Sequence, residues 1–416
     1  MSQKNAPAGG RRQYLDWLRG VGVLIMIQGH VVDSWTLAAD RSSPAYGWIM
    51  LVGGFGGAPV FLFLAGVALA LAAGARIRSG RTEAEAAALA RTRGWQIFGL
   101  AFLFRLQSWI MSGGEPERTL LKVDILNIMG VSMLAAAVLW GLGRRRVSRA
   151  MLLSAATVAA AMLTPVLRAA GLLALLPDPV EGYFRPVAGT TTFTLFPWAG
   201  FVLAGGAIGL WLDAARTPRQ ERFANGALAA MGAAIALGGY GASFLPPLYE
   251  ETSFWTSSPT FFFVRLGALL LVLPIAYAWN TVFSGRSPLA EFGRSSLFVY
   301  WIHVEMAYGV ISAPLHQRLP LELAMLGVAL LSAFLFALVK IKATTKVTTI
   351  TKATKNLLVL RALRDRRALR GLKRDQIGHF RDHRAAQHLA GALVPPLVVH
   401  QEKVAERPVN DVEPQV

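Results

Sequence analysis

Apolar runs long enough to cross a bilayer recur along the first 340 residues, and the short polar segments between them carry most of the charge. Crossing the hydrocarbon core takes about 20 helical residues. The pattern predicts ten such helices, near 16–39, 47–73, 95–112, 123–142, 150–175, 192–212, 224–246, 260–282, 295–314 and 321–340. The second and sixth are the clearest, because no charge interrupts residues 42–75 or 186–212. The third, WQIFGLAFLFRLQSWIM, contains Arg105. Beyond Lys340 the character changes to a Lys/Thr run, KIKATTKVTTITKATK, and then to the strongly basic RALRDRRALRGLKRDQ. The expected organisation is an all-α polytopic membrane domain over residues 1–340, followed by a basic, disordered cytoplasmic tail over 341–416.

Composition supports the membrane reading. The chain is 54% hydrophobic and 16% charged with a mean hydropathy of +0.44, whereas a soluble domain carries about 25% charged residues. There is no cysteine, which excludes disulfides, thiolate metal sites and a thiol nucleophile. The net charge of +18 is spread over short loops and the tail rather than one folded face, so no nucleic-acid partner is expected. Lys/Arg bias fixes an orientation instead. With the N-terminus inside, the inner loops hold Arg76, Arg78, Arg81, Arg91 and Arg93, then Arg144, Arg145, Arg146 and Arg149, then Arg216, Arg219 and Arg222, then Arg286 and Arg294. The outer loops hold only Arg41, Arg118, Lys122, Arg185 and Arg318. The expectation is N-in and C-in. The first apolar stretch has no small-residue cleavage site after it and reads as an uncleaved anchor.

Polar residues inside the spans are the candidates for chemistry, because each is costly in hydrocarbon. The first span, YLDWLRGVGVLIMIQGHVVDSW, carries Asp16, Arg19, His30 and Asp33. Arg19 and His30 are eleven residues apart, about 20° past three full turns, so they share a face roughly 16 Å apart along the axis. His30 has the chemistry of a general base or a nucleophile, and Asp33, at i+3, could orient its ring. Against that stand a histidine bonded to a neighbouring helix and an Arg19 that only pairs with Asp16. Arg76, Arg78 and Arg81 cluster at the inner end of the second span. They suit an anionic cytosolic ligand, although topology alone also places arginines there. Arg105 and Asp124 fall in the outer half, where a buried arginine wants a carboxylate. Asn127 lies one turn after Asp124. In the ninth span Tyr300 and His303 share a face, with Glu305 about 200° round from His303. Gly53, Gly54, Gly56 and Gly57 permit close helix packing or leave room for a ligand. No phosphate-binding loop, nucleophile elbow or zinc helix occurs, and no metal site is expected.

These segments resemble a known family. LDWLRGVGVLIMIQGH is similar to the opening of bacterial transmembrane acyltransferases of the acyltransferase-3 group. APVFLFLAGVALAL, VDILNIMG, FPWAGFVLAGGAIG and FGRSSLFVYWIHVEMAYG resemble the heparan-α-glucosaminide N-acetyltransferase catalytic-domain family, so the likeness runs over roughly residues 11–340. The resemblance implies a membrane enzyme of the bacterial cytoplasmic membrane, moving an acetyl or other acyl group from cytosolic acyl-CoA, typically acetyl-CoA, to a glycan or amino-sugar acceptor on the far side. The resemblance carries over His30 and Arg19, which match the histidine and arginine of the acyltransferase-3 motif; residue chemistry and topology add Asp33 beside His30 as a catalytic candidate, Arg76 and Arg78 beside Arg19 for the acyl-CoA phosphates, and an acceptor near Arg105, Asp124, Asn127 and His303. It leaves open whether His30 is acylated or acts as a base, and it admits an oligomer in contact with membrane lipid. Two other classes compete: a proton-coupled transporter relaying through His30, Asp33, Arg105 and Asp124, and an accessory protein whose buried charges only hold helices together.

Overall fold

The computed structural model describes residues 11–112, 116–249, 252–283, 285 and 287–345. The chain divides into two units, Met1–Lys342 and Ala343–Val416. Nearly all of the described residues belong to the first unit, and the tail expected from 341 onwards lies, from residue 346, outside the described residues. Helices dominate, and among the described residues no β-ladder forms beyond two isolated bridges, Thr36–Leu319 and Val123–Thr191.

The helices are α1 (Gln13–Trp35), α2 (Pro44–Gly56), α3 (Ala58–Arg78), α4 (Glu83–Ser112), α5 (Ile125–Leu142), α6 (Arg146–Ala169), the single turn α7 (Asp178–Glu181), α8 (Leu195–Ala214), α9 (Pro218–Ala242), α10 (Pro259–Val282), α11 (Pro288–Arg294), α12 (Ser296–Tyr308) and α13 (Leu321–Thr345). Ser43, Asp124, Thr217, Ser258 and Ser287 cap α2, α5, α9, α10 and α11 with side-chain oxygens that accept first-turn N–H groups, which would otherwise be orphaned.

Eight segments are long and apolar enough to cross a membrane: α1, α2 with α3 as one 35-residue run, α5, α6, α8, α9, α10 and α13. Two of the ten predicted segments differ. α4 has 30 residues, about 45 Å, and its first turns carry Glu83, Glu85, Arg91 and Arg93 ahead of the apolar part, with Arg105 further on. The ninth segment is broken: α12 has 13 residues, stops at Gly309 and gives way to a 3-10 turn, Val310–Leu315, that contains Pro314. At about 20 Å it is too short to span alone.

Ion pairs and close contacts place the helix ends on two faces. The near face, where α1 begins, gathers the end of α8, where Arg12 donates to Leu212 O and Ala215 O at 2.7 and 2.9 Å. It also gathers the end of α5, where Arg149 donates to Trp140 O and Gly143 O, and the start of α4, where Glu83 pairs with Arg149 at 2.6 Å. Both guanidiniums satisfy carbonyls that a helix end leaves open. The far face holds the end of α1, tied to the turn before α13 by Gln317 N–H to Ser34 O, and the start of α10, where Phe261 meets Phe55 of α2.

Glycine sets the closest packing. A Cβ at Gly66 of α3 would lie 1.9 Å from Val202 O, and one at Gly205 of α8 would lie 1.9 Å from Phe63 O. Each helix backbone therefore seats directly on the other, the small-residue solution to association where lipid supplies no hydrophobic drive. α1 meets α11 the same way through Gly20 and Gly293. Gly66→Ala and Gly205→Ala should each lower the thermal midpoint in detergent, since overpacking costs about 1–3 kcal/mol. Ala at Gly47, which has no neighbour within 4 Å, should not. Equal melting of all three variants would show that this contact is not tight.

Candidate functional site

A cavity of about 1150 Å³ runs between the two faces, walled by α1, α3, α4, α5 and α12. Arg19, Arg76, Arg93 and Arg294 line its near half; Asp33, Arg105, Lys122, Asp124 and His316 line its far half, and His30 stands between them. The face shared by Arg19 and His30 on α1 is thus the cavity wall. Arg19 keeps Asp16 at 3.5 Å. Arg76 and Arg294 make no ion pair among the described residues, so the near mouth carries net positive charge.

His30 is not oriented by Asp33. Its Nδ1 lies 2.9 Å from Nε2 of His303, across 273 residues of sequence. The rings are nearly parallel, 2° apart, with centroids at 5.1 Å, the spacing of two imidazoles bonded edge to edge in a common plane. His303 Nδ1 in turn lies 2.9 Å from Val299 O. A carbonyl only accepts, so His303 carries its proton on Nδ1 and, when neutral, presents a lone pair at Nε2. That lone pair requires the proton of His30 on Nδ1. The remaining nitrogen of His30, Nε2, is then the one with a free lone pair, the state a base or nucleophile needs. Asp33 instead accepts a 2.7 Å hydrogen bond from the Tyr308 hydroxyl, and the Tyr308 ring stands edge-on to His30 at 5.5 Å. Asp33 is a cavity residue held by tyrosine.

Three further expectations change in place. His303 is fully buried behind His30 rather than exposed to an acceptor, while Glu305, on the opposite side of α12, faces the cavity. Asn127 is also buried; its Oδ1 accepts the Asp124 N–H while Asp124 Oδ1 accepts from Leu126 N–H, a capping box that fixes the start of α5. Arg78 lies off the cavity, bonded at 2.8 Å to Asp213, whose carboxylate packs where a Cβ at Gly74 would stand. Arg105 and Asp124 do meet, at 2.6 Å in the cavity wall. Tyr308, Arg93 and Arg294 join the site without having stood out in the sequence. A cation count assigned both arginines to one side, but only packing brings them to one mouth. Gln107 accepts from Trp301 Nε1 at 2.5 Å and ties α4 to α12 beside the histidine pair.

An all-helical bundle with eight candidate spans around a polar cavity is an integral membrane protein with an internal site. Residues 11–245 match the family model described as heparan-alpha-glucosaminide N-acetyltransferase, catalytic. The match covers more than half of the chain, which therefore belongs to this family of membrane acetyltransferases, whose members use acetyl-CoA as co-substrate. No curated protein matches the chain. The match includes His30, Arg76 and Asp124 and ends before α10, so His303 lies beyond it.

The Arg105–Asp124 pair is nearly enclosed, with side chains 18% and 5% exposed. Removing one partner of a buried pair costs about 3–5 kcal/mol, because it strands the other charge. Arg105→Leu should therefore melt well below wild type, and Arg105→Leu with Asp124→Asn should recover much of the loss while keeping the cap. A double variant no more stable than the single one would show that the pair does not couple.

Proposed function

We propose that the chain is an acetyltransferase that takes an acetyl group from cytosolic acetyl-CoA and delivers it to a sugar or amino-sugar acceptor entering from the opposite side of the membrane. The observation that carries this reading is one continuous cavity with an arginine-lined near end and His30 part-way along it. In this proposal the near face is cytosolic, as the Lys/Arg bias indicates, and the membrane is the bacterial cytoplasmic membrane. The phosphates of acetyl-CoA sit at Arg19 and Arg76, joined by Arg93 and Arg294 in place of Arg78. Arginine suits this role because its donors match phosphate oxygens. The thin arm of the donor reaches along α1 toward His30, roughly 16 Å from Arg19 at 1.5 Å rise per residue.

The acceptor approaches past Asp33, Glu305 and Tyr308. His30 Nε2 removes the proton from its hydroxyl or amine as the heteroatom attacks the thioester carbonyl. The C–S bond then breaks, and the departing thiolate takes that proton from His30. His303 occupies the position that a carboxylate fills in a triad. It accepts from His30 Nδ1–H, holds the tautomer and stabilises the ring while it is charged. Because His303 touches neither substrate, it is a positioning residue.

His30→Ala should reduce acetyl transfer from labelled acetyl-CoA to an amino-sugar acceptor by about 10²–10⁴-fold, in protein that still runs as a single species on size exclusion. Transfer at the wild-type rate would remove His30 from the chemistry. His303→Gln should lower kcat while leaving KM for acetyl-CoA within about twofold, and should change the pH–rate profile, which a purely structural role would leave in place. Arg76→Ala with Arg294→Ala should do the reverse, raising KM for acetyl-CoA with little effect on kcat. An unchanged KM would detach the near mouth from donor binding.

A further inference from the structure

Arg265 stands inside a candidate span and outside the cavity, with its charge unmet by any carboxylate among the described residues. It lies on α10, six residues after Pro259, about 9 Å along the helix from the far face. Within the same described residues its guanidinium makes no hydrogen bond, and Nε is buried without a partner. The planar group lies over the Phe261 ring at 4.1 Å, with Trp198 at 5.6 Å and Phe55 at 5.8 Å. Rings satisfy part of the charge but accept none of the N–H donors in the way an oxyanion does.

The direction of the side chain is informative. Long side chains on a helix lean toward its N-terminus, and here that tilt carries the guanidinium back over Phe261 toward the far interface, as a snorkelling arginine does. α10 has 24 residues, about 36 Å against a hydrocarbon core of about 30 Å. The guanidinium is therefore within reach of the far-leaflet phosphate level. α2 forms the other wall and contains no buried residue. Trp48 and Val52 turn its outer surface outward, at 68% and 47% exposed. A Cβ at Gly54 would lie 3.6 Å from Nη2, so α2 comes up against one edge of the guanidinium with only a glycine between. Arg265 keeps partial exposure without lining the cavity, which leaves its open edge to the outer, sideways-facing surface of the bundle.

We propose that Arg265, with Phe55, Trp198 and Phe261, forms a lateral site for the phosphate of an anionic phospholipid of the far leaflet. The ligand chemistry is a phosphate oxyanion, and the sideways opening selects a lipid headgroup over free phosphate. The site is separate from the cavity. Two contacts connect it to the cavity wall: Gly53 of α2 packs against Gly29 of α1, and the Trp198 ring meets Phe193 of the cavity lining at 4.8 Å.

The test uses the full chain, delipidated in detergent and titrated separately with phosphatidylglycerol, phosphatidylcholine and inorganic phosphate. Retained lipid is read by native mass spectrometry and the unfolding midpoint by thermal melting. Wild type should retain phosphatidylglycerol and melt higher with it. Phosphatidylcholine and inorganic phosphate should give at most a small shift. Arg265→Gln should weaken retention of phosphatidylglycerol about tenfold, equivalent to 1.4 kcal/mol. Arg265→Lys, which keeps the charge but loses the fork, should fall between the two and serves if the glutamine variant does not fold. Wild-type retention by either variant overturns the proposal, as does equal retention of phosphatidylcholine. A shift reproduced by inorganic phosphate alone overturns the lipid as occupant.

Discussion

Hydrocarbon offers no hydrogen-bond partner to the groups it surrounds, so a charged group in a membrane bundle is drawn to another part of the chain, to a cavity or to a headgroup. Most of this architecture follows from that constraint. Arg12 and Arg149 are spent on the open carbonyls at the ends of α8 and α5. Arg78 shares Asp213 with Arg216 and, more distantly, Arg146. Arg105 takes Asp124. Arg76 and Arg294, which have no carboxylate among the described residues, are therefore conspicuous by contrast along the near half of the cavity. They stand where an anion from solution can reach them.

The same bundle has to leave space without losing cohesion. It does so by packing some helices as closely as backbones allow and holding others apart. α3 and α8 meet through Gly66 and Gly205, and α1 and α11 through Gly20 and Gly293. Between these seams, α4 and α12 are held by side-chain bridges rather than backbone contact: Gln107 to Trp301, and the rings of Phe104 against Tyr300 and Trp301. Close seams carry the stability, and the bridged side carries the cavity. α12 can be short because it does not have to span; it is enclosed by its neighbours and brings His303 to one side of a small helix and Glu305 with Tyr308 to the cavity side.

What could be read from the sequence was what lies within one helix. The shared face of Arg19 and His30 follows from eleven residues at 100° each, and both line the cavity. The roughly 200° between His303 and Glu305 likewise separates the buried residue from the cavity residue. The family was legible in short ordered segments, and the match over residues 11–245 supports it. Contacts between helices were legible only where two charges at one depth call for each other, as Arg105 and Asp124 do. Asp33 was the nearest carboxylate to His30 along the chain, yet the bond goes to a residue 273 positions away. No periodicity reports such a distance. Asn127 and Arg78 were drawn into the site by residue type; Asn127 is instead taken up locally by a capping box, and Arg78 by Asp213 of α8. The break after Tyr308 was signalled by Gly309 and Pro314, although continuous hydropathy disguised it.

The histidine pair also bears on the energetics of the membrane itself. A polar cavity between two faces is a hazard for a cell that stores energy as a proton gradient, because linked imidazoles hand protons along readily. Here the chain of bonds runs from His30 to His303 and stops at the carbonyl of Val299, an oxygen that accepts a hydrogen bond but does not take up a proton to pass on. The relay is a cul-de-sac. It can polarise one ring on behalf of another, and it leads no proton out through α12 to the opposite compartment.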